Sequence, residues 1–113
     1  MAKPLNFNTV KKHFWNITLA DEKNTTLLIG MPTKAIVDEL SALQDLIDEY
    51  NEDKTNTQAN DDMYTACARM MSRNKAGIVI TKEHLAEFFD YEDIILFTDG
   101  YMNFVNEVVN SKN

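Results

Sequence analysis

The chain reads as an α+β domain in which an N-terminal β-hairpin packs on a small bundle of about four helices. Three observations carry this. Between residues 13 and 30, apolar side chains alternate with period 2 on short runs flanking a polar turn, as half-buried strands require. From residue 34 onward, apolar positions recur at spacings of three and four, the mark of helices with one buried face. Finally, 113 residues with 44% hydrophobic content suffice for one core and give no signature of disorder.

Residues 1–12 are polar, carry Pro4 and form a flexible leader in which Leu5 and Phe7 can dock locally. In the following run, Trp15, Ile17 and Leu19 share one face and Asn16 and Thr18 the other. Residues 20–24 are turn material, and a second β-rich run ends at Gly30 and Pro32, which completes a hairpin over 13–30. A lone hairpin is marginal in water, so it must pack on helices or pair with another chain. The helix next in sequence is the expected cover, with Trp15, Ile17 and Leu19 against Leu40, Leu43 and Ile47.

Thr33 is a suitable N-cap for that helix, expected over 34–50. Ile36, Val37, Leu40, Leu43, Ile47 and Tyr50 form its stripe, and acids such as Asp45, Asp48 and Glu49 occupy its outward side. Residues 51–61 are almost wholly polar and predict a surface loop. Asp61 or Asp62 then caps a helix over 62–76, with Met63, Tyr64, Ala66, Cys67, Met70 and Met71 on its apolar side and Gly77 as terminator. Residues 78–80 form an extended run or a stub of strand. Thr81 caps a short helix over 82–89, and Asp90 opens the last helix, over 91–109, with Glu92 and Asp93 in its first turn. Gly100 interrupts that helix at about 1 kcal/mol relative to alanine, which points to a close approach by another element. Residues 110–113 form a frayed tail.

The composition excludes much chemistry. One cysteine rules out an internal disulfide framework, and two histidines are too few for most metal or nucleophile sets. Three glycines cannot build a phosphate-binding loop. Cys67 falls at a core-facing position as an inert thiol, and His84 has Glu87 within reach at i,i+3. No catalytic residue, metal ligand or cofactor is expected. The net charge of -7, from 18 acids against 11 bases, argues against nucleic acid, whose phosphates need clustered Lys and Arg. The loose group Arg69, Arg73 and Lys75 suits the C-terminal end of a helix. No run approaches the roughly 20 apolar residues of a membrane span, and no signal-peptide segment stands near the start. The expectation is an intracellular, non-enzymatic protein that meets other proteins.

Two apolar features exceed what a monomer needs. Methionines supply adaptable surface at Met63, Met70 and Met71, and aromatic residues crowd the last helices, including Phe97, Tyr101 and Phe104. Met63, Met70, Met71, Tyr101 and Phe104 are therefore the candidate partner-binding residues. Trp15, Ile17, Leu19, Leu40, Leu43, Ile47, Cys67 and Phe97 are the expected core. The aromatic surplus and the hairpin edge both predict a homo-oligomer.

The run Phe14-Trp15-Asn16-Ile17-Thr18-Leu19, the turn, Leu27-Leu28-Ile29-Gly30 with Pro32, and the long helix after them resemble the small tail assembly chaperones of long-tailed, siphovirus-type bacteriophages and prophages of Gram-positive bacteria. Met71-Ser72-Arg73-Asn74-Lys75 with Gly77 and Thr81 is similar to their mid-chain helix–turn–helix. Tyr91-Glu92-Asp93-Ile94 with Phe97, Tyr101 and Phe104-Val105 is similar to their last helix. The resemblance spans residues 13 to 109, and the sequence departs from some relatives over 51–61. It implies a protein of the host cytoplasm that binds the tape measure protein and keeps it soluble while the tube protein polymerises around it. It also implies a longer, frameshifted form as a partner, and no catalytic residues. The alternative is a small acidic regulatory or anti-host binding protein of a phage or mobile element, acting by blocking a basic surface.

Overall fold

In the computed structural model, which describes residues 3–110, period 2 gives way to helical periodicity at Thr33, as the side-chain pattern requires. Strand β1 (Phe14–Thr18) pairs antiparallel with β2 (Thr26–Gly30), with Trp15 opposite Ile29 and Ile17 opposite Leu27. Four helices follow: α1 (Lys34–Glu52), α2 (Thr57–Met71), α3 (Lys82–Phe88) and α4 (Tyr91–Asn110). The protein is thus α+β, a two-stranded hairpin on a small helical bundle. The expected tail residues 111–113 and the first two leader residues lie outside the described residues.

The hairpin turn is held by its own side chains. Asp21 accepts from the Thr25 amide at 2.8 Å and from the Thr25 hydroxyl at 2.6 Å. Asn24 takes a positive φ of 51°, a conformation that asparagine tolerates better than most residues. Leu27 and Ile29 point into the core, whereas Phe14 and Leu28 stand exposed on the outer face.

The helices begin where their caps dictate. The Thr33 hydroxyl accepts from the Ile36 amide, and the Thr81 hydroxyl from the His84 amide. Asp90 and Asp93 exchange backbone-to-carboxylate bonds of 2.9 Å each, a reciprocal cap for α4.

Most of the polar stretch over 51–61 is helical, and only residues 53–56 form a loop. α1 runs on to Glu52, and Asn56, not Asp61 or Asp62, caps α2 by accepting from the Ala59 amide at 3.0 Å. Ala59 and Met63 are buried one turn apart, while Gln58 bonds Asp62 at i,i+4 on the outside. A helix with so few apolar positions in its first turns hides its periodicity, because only one residue in four has to face the core.

The other end is shorter than the sequence predicts: α2 stops at Met71, not residue 76. Ser72 and Asn74 end it by offering side-chain bonds in place of helical ones. The Ser72 hydroxyl bonds to the Ala68 carbonyl and accepts from the Ile80 amide, and the Asn74 amide group bonds to the Met71 and Ile78 carbonyls. Gly77 still serves as a turn residue with φ 74°, further along the connection. Residues 78–80 form no strand, although Ile80 is buried. Instead Lys75 N–H bonds to the Leu28 carbonyl and Asn74 bridges to Ile29, which covers part of the free edge of β2.

The core lies between α1, α2 and the inner faces of β2, α3 and α4. It contains Leu27, Ile29, Leu40, Leu43, Met63, Met70, Met71, Leu85 and Ile94. The cover of Trp15 differs from expectation. Its ring stacks on α4, with centroids 5.6 Å from Phe97, 5.7 Å from Tyr101 and 6.4 Å from Phe104. Leu40 and Leu43 of α1 are buried in the same core, while Ile17 and Ile47 are half-buried at its margin. Gly100 explains the choice. A β-carbon there would stand 2.7 Å from Trp15 Cζ2, so the bare backbone of α4 is the seat on which the indole lies.

Candidate protein-binding surface

The five residues expected to bind a partner are all interior. Met63 and Met71 have no exposed surface, and Met70, Tyr101 and Phe104 are buried as well. The methionines fill the core from the buried side of α2, the adaptable core-filling use of the thioether. The aromatic surplus of α4 is consumed within the chain: Phe97, Tyr101 and Phe104 stack beneath Trp15, and the Tyr101 hydroxyl donates to the Gly30 carbonyl at 2.8 Å. Burial pushes the Tyr101 phenol up to about 12, so it stays protonated and keeps donating. Tyr91 packs on Tyr50 of α1, and the Tyr64 hydroxyl donates to the Phe89 carbonyl.

Among the expected core residues, Leu19, Leu40, Leu43, Cys67 and Phe97 are buried, whereas Trp15, Ile17 and Ile47 keep partial exposure. Burial pushes the Cys67 thiol far up, which disfavours its thiolate form. Of the basic group, Arg69 alone lies in the last turn of α2, Arg73 and Lys75 standing beyond its end. Arg69 meets Glu39 of α1 at 2.8 Å, and the Lys75 ammonium lies 5.1 Å over the Phe14 ring.

An apolar cleft lies where β1 meets α4. Trp15, Ile17 and Leu19 of the hairpin face Phe89, Leu96 and Phe97 across a cleft of about 210 Å³. β1 supplies alternate residues because the strand period is 2, and α4 supplies Leu96 beside the buried Phe97. Leu96 is 68% exposed and forms an apolar rim. Asp93 stands at the same cleft, and the charged residues of α4 are all acidic: Glu92, Asp93, Asp99 and Glu107. Among the described residues no strand lies along the outer edge of β1. Sequence reasoning placed Trp15 and Phe97 in the core and passed over Leu96. Its signal was present, an apolar residue outside the Ile94–Phe97–Tyr101 stripe, but one off-stripe residue means little without its neighbours.

A second constellation was invisible in sequence. His84 Nε2 lies 3.0 Å from Asp21 Oδ2, although His84 opens α3 and Asp21 begins the hairpin turn. The Thr25 hydroxyl, the Thr25 amide and then His84 hold the Asp21 carboxyl well below the usual carboxylate range. The other ring neighbour of His84 is Phe88, edge-on at 5.1 Å. The pair therefore clamps the hairpin turn to α3, with Asp21 as the buried acceptor. The i,i+3 partner expected from sequence, Glu87, is not the one His84 takes.

Among the described residues, no group of three or more His, Cys, Asp or Glu side chains is placed to hold a metal ion. No described helix is long and apolar enough to cross a membrane. No family model, curated protein or solved structure matches the chain.

Proposed function

We propose that this protein is a non-enzymatic tail assembly chaperone of the host cytoplasm, which binds the tape measure protein of a long-tailed phage and keeps it soluble during tail morphogenesis. The observation that carries the reading is the β1–α4 cleft, an apolar surface with Asp93 in its lining, on a chain with net charge -7. A client made of long apolar helical stripes between basic segments suits such a surface twice over. Its apolar side chains gain burial against Trp15 and Leu96, and its bases are steered by the acids of α4 and α1. The sequence resemblance over residues 13 to 109 names the client. The tube protein and a frameshifted longer form of this chain complete the set of partners, and the chaperone acts as a homo-oligomer.

Co-expression with the tape measure protein tests this. The client is expected in the pellet when expressed alone and in the supernatant together with the chaperone, with weaker complex formation as salt rises. Leu96→Asp should abolish the effect and leave the fold intact, because that side chain is largely exposed. A client that stays insoluble with both the short and the frameshifted form present overturns the chaperone reading. Retention on a basic host protein instead would favour the acidic regulator.

A further inference from the structure

The leader and the last helix are opposite in charge. Residues 3–13 carry Lys3, Lys11 and Lys12 and no acid, whereas α4 carries four acids and no base. The leader is also apolar where it is most exposed: Leu5 is 69% and Phe7 71% accessible, at positions two apart. Asn6 holds the segment in a short turn by accepting from the Thr9 amide at 3.0 Å, which leaves Phe7 at its tip.

We infer that the 3–13 segment of one copy docks through Leu5 and Phe7 into the β1–α4 cleft of a second copy. The cleft of about 210 Å³ falls below the roughly 300–1,000 Å³ of small-molecule pockets and matches one or two large side chains. The open edge of β1 offers backbone hydrogen bonds to a segment lying beside it, and Asp93 in the cleft, on a helix whose charged residues are all acidic, offers charge to its lysines. The occupant comes from another copy because the chain's own segment does not fill the cleft. Every residue from 3 to 13 is exposed, and Lys11, Lys12 and His13 lie beside Phe14, Gly30 and Met31 at the open end of the hairpin. The cleft extends the other way along β1, from Trp15 to Leu19. This inference rests on the self-association proposed above and names the surfaces that produce it. The arm and the client share the cleft, so the client displaces the arm when it binds, and the contact between copies does not depend on the identity of the client.

Complementation between two variants tests it. Leu5→Asp with Phe7→Asp disables the arm, and Leu96→Asp disables the cleft; all three positions are exposed, so both variants should fold. Light scattering at tens of micromolar should give wild type a mass of two or more copies and each variant alone a monomer mass. The mixture of the two variants should recover a two-copy mass, because it restores one intact arm and one intact cleft. Trp15, the only tryptophan, lines the cleft and reports docking directly. A peptide of residues 3–13 added to the arm variant should shift its emission saturably, several-fold more weakly at high salt. Variants that keep the wild-type oligomeric mass overturn the arm-and-cleft contact while self-association stands. A wild type that is monomeric at every concentration overturns both. A monomeric wild type whose Trp15 emission responds to Phe7→Asp at all dilutions shows same-chain docking and equally overturns the inference.

Discussion

The two sides of this small protein are built from different materials. Between α1 and α2 the interior is aliphatic and sulfur-rich, with Leu40, Leu43, Ala66, Cys67, Met63 and Met70 closed from solvent. Between the hairpin and α4 it is aromatic, and the seam stays open: Trp15 lies on Phe97, Tyr101 and Phe104 with one edge toward the cleft. Flexible side chains fill irregular gaps between helices, whereas flat rings let a sheet rest on a helix while leaving apolar surface at the margin. The α1–α2 side is closed to solvent, and the hairpin–α4 side leaves a cleft with Leu96 exposed at its rim.

The strongest test removes the floor of the seam. Phe97→Ala or Phe104→Ala should each destabilise the fold by about 3–5 kcal/mol in denaturant unfolding, a large share of the stability of a domain this size. Losses below about 1 kcal/mol in both would mean that the aromatic seam is dispensable and that the α1–α2 side alone carries the fold.

A smaller effect sharpens the comparison at one atom. In most exposed helix interiors Gly→Ala gains roughly 1 kcal/mol. At Gly100 the new methyl group would meet Trp15 at 2.7 Å, and the indole is pinned from below by three rings. Gly100→Ala should therefore gain nothing and destabilise by up to about 2 kcal/mol net, the usual overpacking cost less the propensity gain. Trp15→Leu introduced alongside it should return much of that loss, a coupling that a double-mutant cycle reads directly. Additive effects would show that the indole moves aside freely.

The smallest effect concerns the clamp at the far end of the hairpin. Asp21 has its carboxyl held below its ordinary value of 3.8, so the folded state binds its proton less readily than the unfolded chain. Its contribution is complete above about pH 4 and fades as pH falls below that value, toward the lowered pKa of the folded state. Asp21→Asn should lower stability at neutral pH and flatten the acid limb of a stability–pH curve, measured by thermal unfolding between pH 6 and pH 2. An unchanged acid limb would remove the clamp from the account of how the hairpin is held.

Local signals in the chain were sufficient for most elements. The alternation of Trp15, Ile17 and Leu19, the Thr33, Thr81 and Asp90 caps and the stripe of α4 each lie within a few residues, and each appears where those residues predict. The stretch over 51–61 misled because its first helical turns bury only Ala59 and Met63, so composition outweighed period. Residues 72–76 misled in the opposite sense. Ser72 and Asn74 are compatible with a helix, and what ended it was their bonds to Ile80 and Ile78 further along the chain.

By itself, then, the sequence determined the element types, the strand faces, the acidic character of α4 and the need of Gly100 for a close neighbour. Those properties follow from side-chain period, caps and charge, which act over a turn or two of chain. Only the tertiary structure decided that the neighbour is Trp15, that the methionines and α4 aromatics lie inside, that His84 takes Asp21, and that Leu96 stands beside an open cleft. These are choices among apolar faces of similar chemistry or pairings between residues distant in sequence, such as Asp21 and His84, 63 positions apart. Shape complementarity across the whole core settles them, and no local pattern contains it.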